Sequence, residues 1–278
     1  MLECVVNISE GRRRAWLAEL VSSLSGVGDV HADDDHHRSV LTLLGPSPAL
    51  IETVVQLARV VIAEVDFASH RGVHPRIGAL DVVPFVPLGE ATMGDAVAAR
   101  DRCAERLARE LSLPVYLYGP LPDGSSRTLP DLRRAVREGA APDVAPERSG
   151  SPGGAAALGA REVLVAWNLW LGSTSLSRAN ELARSLRAVD VRTLAFEVTG
   201  AVQVSCNLLE PLTTTPADVY DQAALRLEGS EAILRSELVG LAPRAMLASI
   251  GEDRWASLDL SEDQTIEAAI ARLGLESG

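Results

Sequence analysis

The sequence contains no lysine; all 26 of its strong cations are arginines. Schiff-base chemistry on a lysine amine is therefore excluded. Cysteine is almost as scarce. Three residues (Cys4, Cys103 and Cys206) at wide, unpatterned spacing make neither a disulfide framework nor a zinc ribbon. No run approaches the roughly 20 apolar residues that cross a bilayer. The opening "MLECVVNISEGRRRAW" lacks the apolar run and cleavage site of a signal peptide. These absences point to a cytosolic protein with no membrane partner. The net charge of −12 argues against general nucleic-acid binding, which needs clustered positive charge. There is no G-x-G-x-x-G between strand and helix, no P-loop and no G-x-S-x-G.

What is present is enough for one large domain or two small ones, since 47% of the 278 residues are hydrophobic. Residues 1–7 read as a strand, and 12–25 as an amphipathic helix with Leu17, Leu20, Val21 and Leu24 on one face. Short strands near 28–32 and 39–44 follow, then a helix over 48–66 opened by Ser47 and Pro48. The apolar strand "ALDVVPFVP" completes a split βαβ order. A helix over 95–111, capped by Thr92 and Asp95, and the strand "PVYLYG" extend it. The order recurs in the second half: strand "REVLVAWNLWL", helix 176–187, a hairpin about Thr199 and Gly200, a helix capped by Thr215 and Asp218, and strand "SELVGLAP". Residues 139–160, rich in Gly, Pro and Ala, read as a linker or binding loop. The fold class expected is α/β of the α+β type, with two βαββαβ-like lobes.

All five histidines (31, 36, 37, 70 and 74) lie before residue 75. His74 precedes Pro75, which holds it extended. Gly72 permits a reversal before it, and Gly78 permits a close approach after it. Arg76 beside the imidazole favours its neutral, basic form. Such a residue suits proton transfer, although a loop histidine bonded to a neighbouring strand fits the same pattern. In "HADDDHHRSV", Asp33, Asp35, His36 and His37 could ligate a metal, but adjacent histidines on an extended chain point to opposite faces. A solvated acidic turn, or carboxylates with Arg38 holding a nitrogen-rich substrate, fits better. "NISEG" places Asn7, Ser9 and Glu10 ahead of a helix, where N–H groups favour anions; Ser9 as an ordinary N-cap is the alternative. Cys4 belongs in the core. Trp167 and Trp170 suit packing better than a stacking platform.

The segments "ECVVNISEGR", "DDDHHRSV", "HRGVHPRIGALDVVPFVP", "LPVYLYG", "SRTLPDLR", "LVAWNLWLG", "VQVSCNLLE" and "SELVGLAP" occur in the order seen in glutamate formiminotransferases. The chain resembles the formiminotransferase part of formiminotransferase-cyclodeaminase over nearly its whole length. The resemblance implies an N-terminal subdomain over 1–158 and a C-terminal one over 159–278, with facing mixed sheets, helices outside and folate between them. It implies transfer of a formimino (or formyl) group between N-formimino-glutamate and tetrahydrofolate, the latter as co-substrate. It further implies no metal, a role in one-carbon metabolism and histidine degradation, and a homodimer.

Carried over by position, His74 matches the catalytic general base and acid. Asn7, Ser9, Glu10, Asp33, Asp35, Arg38, Arg76, Gly78, Asp81 and Arg127 become candidates for substrate binding. The segment 145–154 aligns with the folate loop, giving Pro146, Gly153 and Gly154, with Asn168, Gln203 and Asn207 from the second lobe. Three departures stand out: Val73 where the family often has Glu, Gly153-Gly154-Ala155-Ala156 where it has Trp-Gly-Ala-Thr, and "RRAVREG" after Leu132 where it has Arg-x-Gly-x-Tyr-Glu. A folate-like ligand-binding paralogue without turnover is the alternative, with a metal-dependent hydrolase on Asp33, Asp35, His36 and His74 behind it.

Overall fold

A computed structural model describes residues 1–148 and 150–275. The chain forms two compact units, Met1–Glu162 and Val163–Gly278.

The first unit runs β1 (Leu2–Ile8), α1 (Arg14–Ser22), β2 (Val27–Asp33), β3 (Arg38–Gly45), α2 (Ser47–Glu64) and β4 (Leu80–Pro87). It continues with α3 (Met93–Leu111), β5 (Val115–Pro120), β6 (Ser126–Arg127), α4 (Leu129–Arg137) and β7 (Ala156–Ala160). The seven strands form one mixed sheet in the order β2-β3-β1-β4-β7-β5-β6. β1 is antiparallel to β3 and β4, and β7 is parallel to both β4 and β5. Alternation on β1 sends Leu2, Cys4, Val6 and Ile8 into a core shared with Leu50, Val54, Leu57 and Val61 of α2 and Ala99, Cys103 and Leu107 of α3. The opposite face of β4, β5 and β7 is covered by Leu132 of α4, packed with Val82, Tyr116, Tyr118 and Ala157.

The second unit runs β8 (Val165–Gly172), α5 (Leu176–Ser185), β9 (Val191–Val198), β10 (Ala201–Leu208), α6 (Pro216–Ala224) and β11 (Ala232–Val239), then α7 (Arg244–Ala248), α8 (Glu252–Leu258) and α9 (Ile266–Arg272). Its four strands are antiparallel throughout, in the order β11-β8-β10-β9. This is the order of β4-β1-β3-β2 in the first unit, so the repeat seen along the chain is a repeat of topology. Thr92 with Asp95, and Thr215 with Asp218, each make a reciprocal capping box. Helix α2 departs from expectation: Pro46 is its N-cap, and Ser47 lies inside the helix with a buried, unpartnered hydroxyl.

The stretch 139–160 is not all linker. Its last five residues are β7, fully buried in the middle of the sheet. Glycine is required at 159, because a Cβ there would fall 2.1 Å from the Tyr118 ring.

Candidate active site

The edge of the first sheet where β1 ends, β3 begins and β4 begins gathers most of the polar residues singled out above. Asp81, one residue into β4, is fully buried. Its Oδ1 accepts from the Ile77 N–H (2.8 Å), and its Oδ2 accepts from both Arg38 Nη1 (2.5 Å) and Arg133 Nη2 (2.9 Å). Arg38 also donates from Nε to Asn7 Oδ1 at 3.0 Å. A buried carboxylate thus holds two guanidiniums in place, and charge-assisted bonds of this kind are among the stronger ones in proteins.

His74 stands against this cluster. Its Nδ1 lies 2.8 Å from the Pro75 carbonyl oxygen and 3.5 Å from Arg38 Nη1. A carbonyl only accepts, so Nδ1 carries the proton and Nε2 the lone pair. Burial, then the positive charges of Arg38 and Arg133, push the His74 pKa well below the ordinary histidine value; the Pro75 carbonyl opposes them. The imidazole is held in its neutral form, with a lone pair on Nε2. As a whole residue His74 is half-buried.

Arg76 does something other than the sequence spacing implies. Its guanidinium donates to the carbonyl of His74 (2.6 and 3.0 Å) and to that of His36 (3.1 Å), not to the His74 ring. It shapes the loop, while Arg38 is the cation beside the imidazole. His36 and His37 sit in a turn, not on an extended chain, with His37 at φ 47°. The His36 ring approaches His74 with centroids 5.9 Å apart, and His37 approaches His70 at 4.2 Å. His37 Nδ1 accepts from the Gly11 N–H at 3.1 Å, so its 3.6 Å approach to Glu10 is not an ion pair. His70 Nε2 donates to the His37 carbonyl (3.0 Å) and its Nδ1 accepts from Arg76 (2.5 Å). Burial and then Arg76 lower the His70 pKa to about 4.

Ser9 is not the cap of α1. Its hydroxyl donates to the Gly78 carbonyl (2.8 Å), tying β1 to the loop before β4. The anion at the start of α1 is the Glu10 carboxylate, which accepts from the N–H groups of Arg12 (2.8 Å) and Arg13 (3.1 Å) and from Arg13 Nε (2.6 Å). Burial raises the Glu10 pKa, but these bonds outweigh it and the net shift is downward. Asp33 accepts from the His36 N–H (2.7 Å), and the Asp35 carbonyl accepts from the Val73 N–H (3.5 Å). Arg127 stands apart on β6 at the end of the sheet, bonded to the Leu117 carbonyl and Asp143.

Of the residues aligned with a folate loop, Gly153 and Gly154 come beside the His-Pro-Arg block. The Gly153 carbonyl accepts from the Ala79 N–H (2.8 Å), and the Ala155 N–H donates to the Ile77 carbonyl (3.0 Å). A Cβ on Gly78 would lie 2.0 Å from the Ala155 oxygen, so only glycine permits this crossing. Pro146 is half-buried, and within 145–154 Ser149 lies outside the described residues.

In the second unit, Trp167 is core and donates to the Leu258 carbonyl (2.8 Å). The face of the sheet opposite that core carries Asn168, Trp170 and Gln203, all donating to Glu237 Oε2 (3.0, 3.2 and 3.4 Å). Arg235 lies 3.9 Å over the Trp170 ring and pairs with Glu237 Oε1. Asn207 is exposed on the same strand as Gln203. Because a carboxylate accepts only, the Asn168 amide must turn its nitrogen to Glu237 and its oxygen away. Among the described residues no group of three or more His, Cys, Asp or Glu is arranged to hold a metal ion. No described helix is long and apolar enough to cross a membrane.

Sequence reasoning gave no role to Arg133 or Glu237. In "RTLPDLRR" the Thr128 cap of α4 marks a helix that carries adjacent arginines, without saying which of them faces the sheet.

Burial and the neighbouring guanidiniums hold the His74 imidazole neutral at this end of the sheet. Residues 1–161 match the family described as "Formiminotransferase domain, N-terminal subdomain". The chain belongs to this formiminotransferase family. It is 32% identical to a glutamate formimidoyltransferase of Thermoplasma acidophilum, with 91% of each chain covered. It is also 32% identical to one from Streptococcus pyogenes serotype M1, covering 91% of this chain and 92% of that one. The formimidoyltransferase-cyclodeaminase of Rattus norvegicus is 33% identical across the whole chain, which spans 57% of the rat protein's length.

Proposed function

We propose that the protein transfers a formimino group from N-formimino-glutamate to a ring nitrogen of tetrahydrofolate, with His74 moving the proton. The observation that carries this reading is the state of His74: neutral, with Nδ1–H held by the Pro75 carbonyl and the lone pair on Nε2. The attacking ring N–H loses a proton as its nitrogen bonds to the amidine carbon. The departing glutamate nitrogen gains one as its bond to that carbon breaks. His74 Nε2 accepts the first proton and returns it to the second nitrogen, a role worth about 10²–10⁴-fold in rate. Pro75 and Arg76 hold the ring and its loop in place.

In the first unit acceptor binding falls to the loop that carries Gly153 and Gly154, beside Gly78; in the second unit the amides of Asn168 and Gln203, oriented by Glu237, are the candidates. In this reading the two units act as the subdomains of one enzyme, with the boundary moved from 158 to 162 so that β7 stays whole, and the enzyme is a cytosolic homodimer in one-carbon metabolism and histidine degradation. The names and full-length similarity of the archaeal and streptococcal relatives support it. Glutamate release is measured with both substrates and with each alone. Release that needs both is expected; no release above the single-substrate controls would sink the reading.

A further inference from the structure

Four charged groups near His74 do not balance. Arg38 and Arg133 share one oxygen of Asp81, and Arg76 lies close enough for their charges to act on it. Of the other acids at this end of the sheet, Glu10 is engaged by Arg12 and Arg13, and Asp33 accepts from the His36 N–H. Arg38 and Arg133 therefore share a single carboxylate oxygen between two guanidiniums. Buried charge without a counter-charge is costly. Arg133 also keeps a buried Nε with no hydrogen-bond partner. Arg76 is committed to loop carbonyls, which leaves Arg38 and Arg133 as the pair an incoming anion would complete.

We infer that Arg133, with Arg38, binds the α-carboxylate of the formimino donor and makes the enzyme select donors derived from α-amino acids. This rests on the proposed reaction and extends it to a specificity residue. The chemistry decides which carboxylate is meant. In N-formimino-glutamate the α-carboxylate is borne by the carbon that carries the departing nitrogen. The γ-carboxylate is two methylenes further on. The glutamate tail of tetrahydrofolate is separated from its reacting nitrogen by the aminobenzoyl group. Only the α-carboxylate must lie beside the base when the amidine is in place, and the cations lie beside the base: Arg38 Nη1 is 3.5 Å from the imidazole. Helix register gives the task to Arg133, whose side chain is 16% exposed, and not to Arg134, at 62% and paired with Asp131.

The test compares N-formimino-L-glutamate with N-formimino-4-aminobutyrate, which lacks the α-carboxylate, using tetrahydrofolate as acceptor. Wild type is expected to favour the first by at least about 10-fold in kcat/KM, as a charge-assisted contact implies. In Arg133→Gln the preference should collapse to within about three-fold, through the KM for formimino-glutamate and with the KM for tetrahydrofolate unmoved. Arg133→Lys should restore part of it. Equal losses on both donors, or no preference in wild type, would overturn the assignment. Calorimetry with L-glutamate and with 4-aminobutyrate reads the same site without turnover. Tighter binding of glutamate by wild type, lost in Arg133→Gln, upholds the carboxylate site even if no formimino transfer occurs; equal binding of the two ligands overturns it.

Discussion

Replacing Asp81 by asparagine keeps the shape of the side chain and removes its charge. The carboxylate is fully buried and accepts from three donors, two of them guanidinium groups, at 2.5, 2.8 and 2.9 Å. Without it, two largely buried cations face each other with no counter-charge. Removing one partner of a buried pair costs about 3–5 kcal/mol. Asparagine retains a carbonyl oxygen for one donor, which puts the expectation near the lower end, about 3 kcal/mol. That is a large part of a stability of about 5–15 kcal/mol. With a urea slope of about 2–3 kcal/mol/M, the midpoint should fall by about 1–1.5 M. The assay is urea unfolding followed by circular dichroism, with Arg134→Gln as the control. Arg134 makes an exposed pair with Asp131 on the same helix, and its loss should cost no more than about 1 kcal/mol. Adding Arg133→Gln to Asp81→Asn removes the surplus cation and should recover part of the loss. If Asp81→Asn unfolds at the same urea concentration as Arg134→Gln, the buried cluster does not hold the site together as argued.

Two further outcomes follow from the same geometry. Gly78→Ala forces a methyl to within 3 Å of three backbone atoms of 153–155, so the melting temperature should fall by several degrees; an unchanged melting temperature would refute the tight crossing. For pH, the folded-state pKa of His70 is about 4 against an ordinary value of 6.5. Between those values the unfolded chain binds the extra proton, so stability is full above pH 6.5 and declines as pH falls towards 4. His74 and His37, also lowered, act in the same direction, so His70→Asn should make the decline shallower without abolishing it; an unaltered slope would assign the acid loss to other groups.

Much of the architecture was legible because it rests on periodicity and caps. The alternation on β1 and β8, and the Thr-x-x-Asp starts of α3 and α6, are local signals that tertiary structure did not override. β7 was hidden for a physical reason. Its sequence "AALGA" has no β-branched residue to signal a strand, and at Gly159 the Tyr118 ring occupies the space a side chain would need. The site was legible where the chain carries its own geometry, as at His74-Pro75. It was not legible where a residue gains meaning from a partner on another element. Nothing local distinguishes Arg133 from Arg134, and only the register of α4 turns the first towards Asp81. Likewise Glu237 matters through cross-strand pairing with Asn168, which strand propensity does not reveal. Arg76 shows the reverse error: adjacency to His74 along the chain put its guanidinium on the carbonyl, not on the ring.

The central claim is that the His74 imidazole moves the proton during transfer. Single-turnover release of glutamate from N-formimino-glutamate in the presence of tetrahydrofolate measures it directly in wild type and His74→Ala. The account predicts a loss of about 10²–10⁴-fold in the variant, with its circular dichroism spectrum and melting curve unchanged. A folded His74→Ala protein that turns over at the wild-type rate would contradict it.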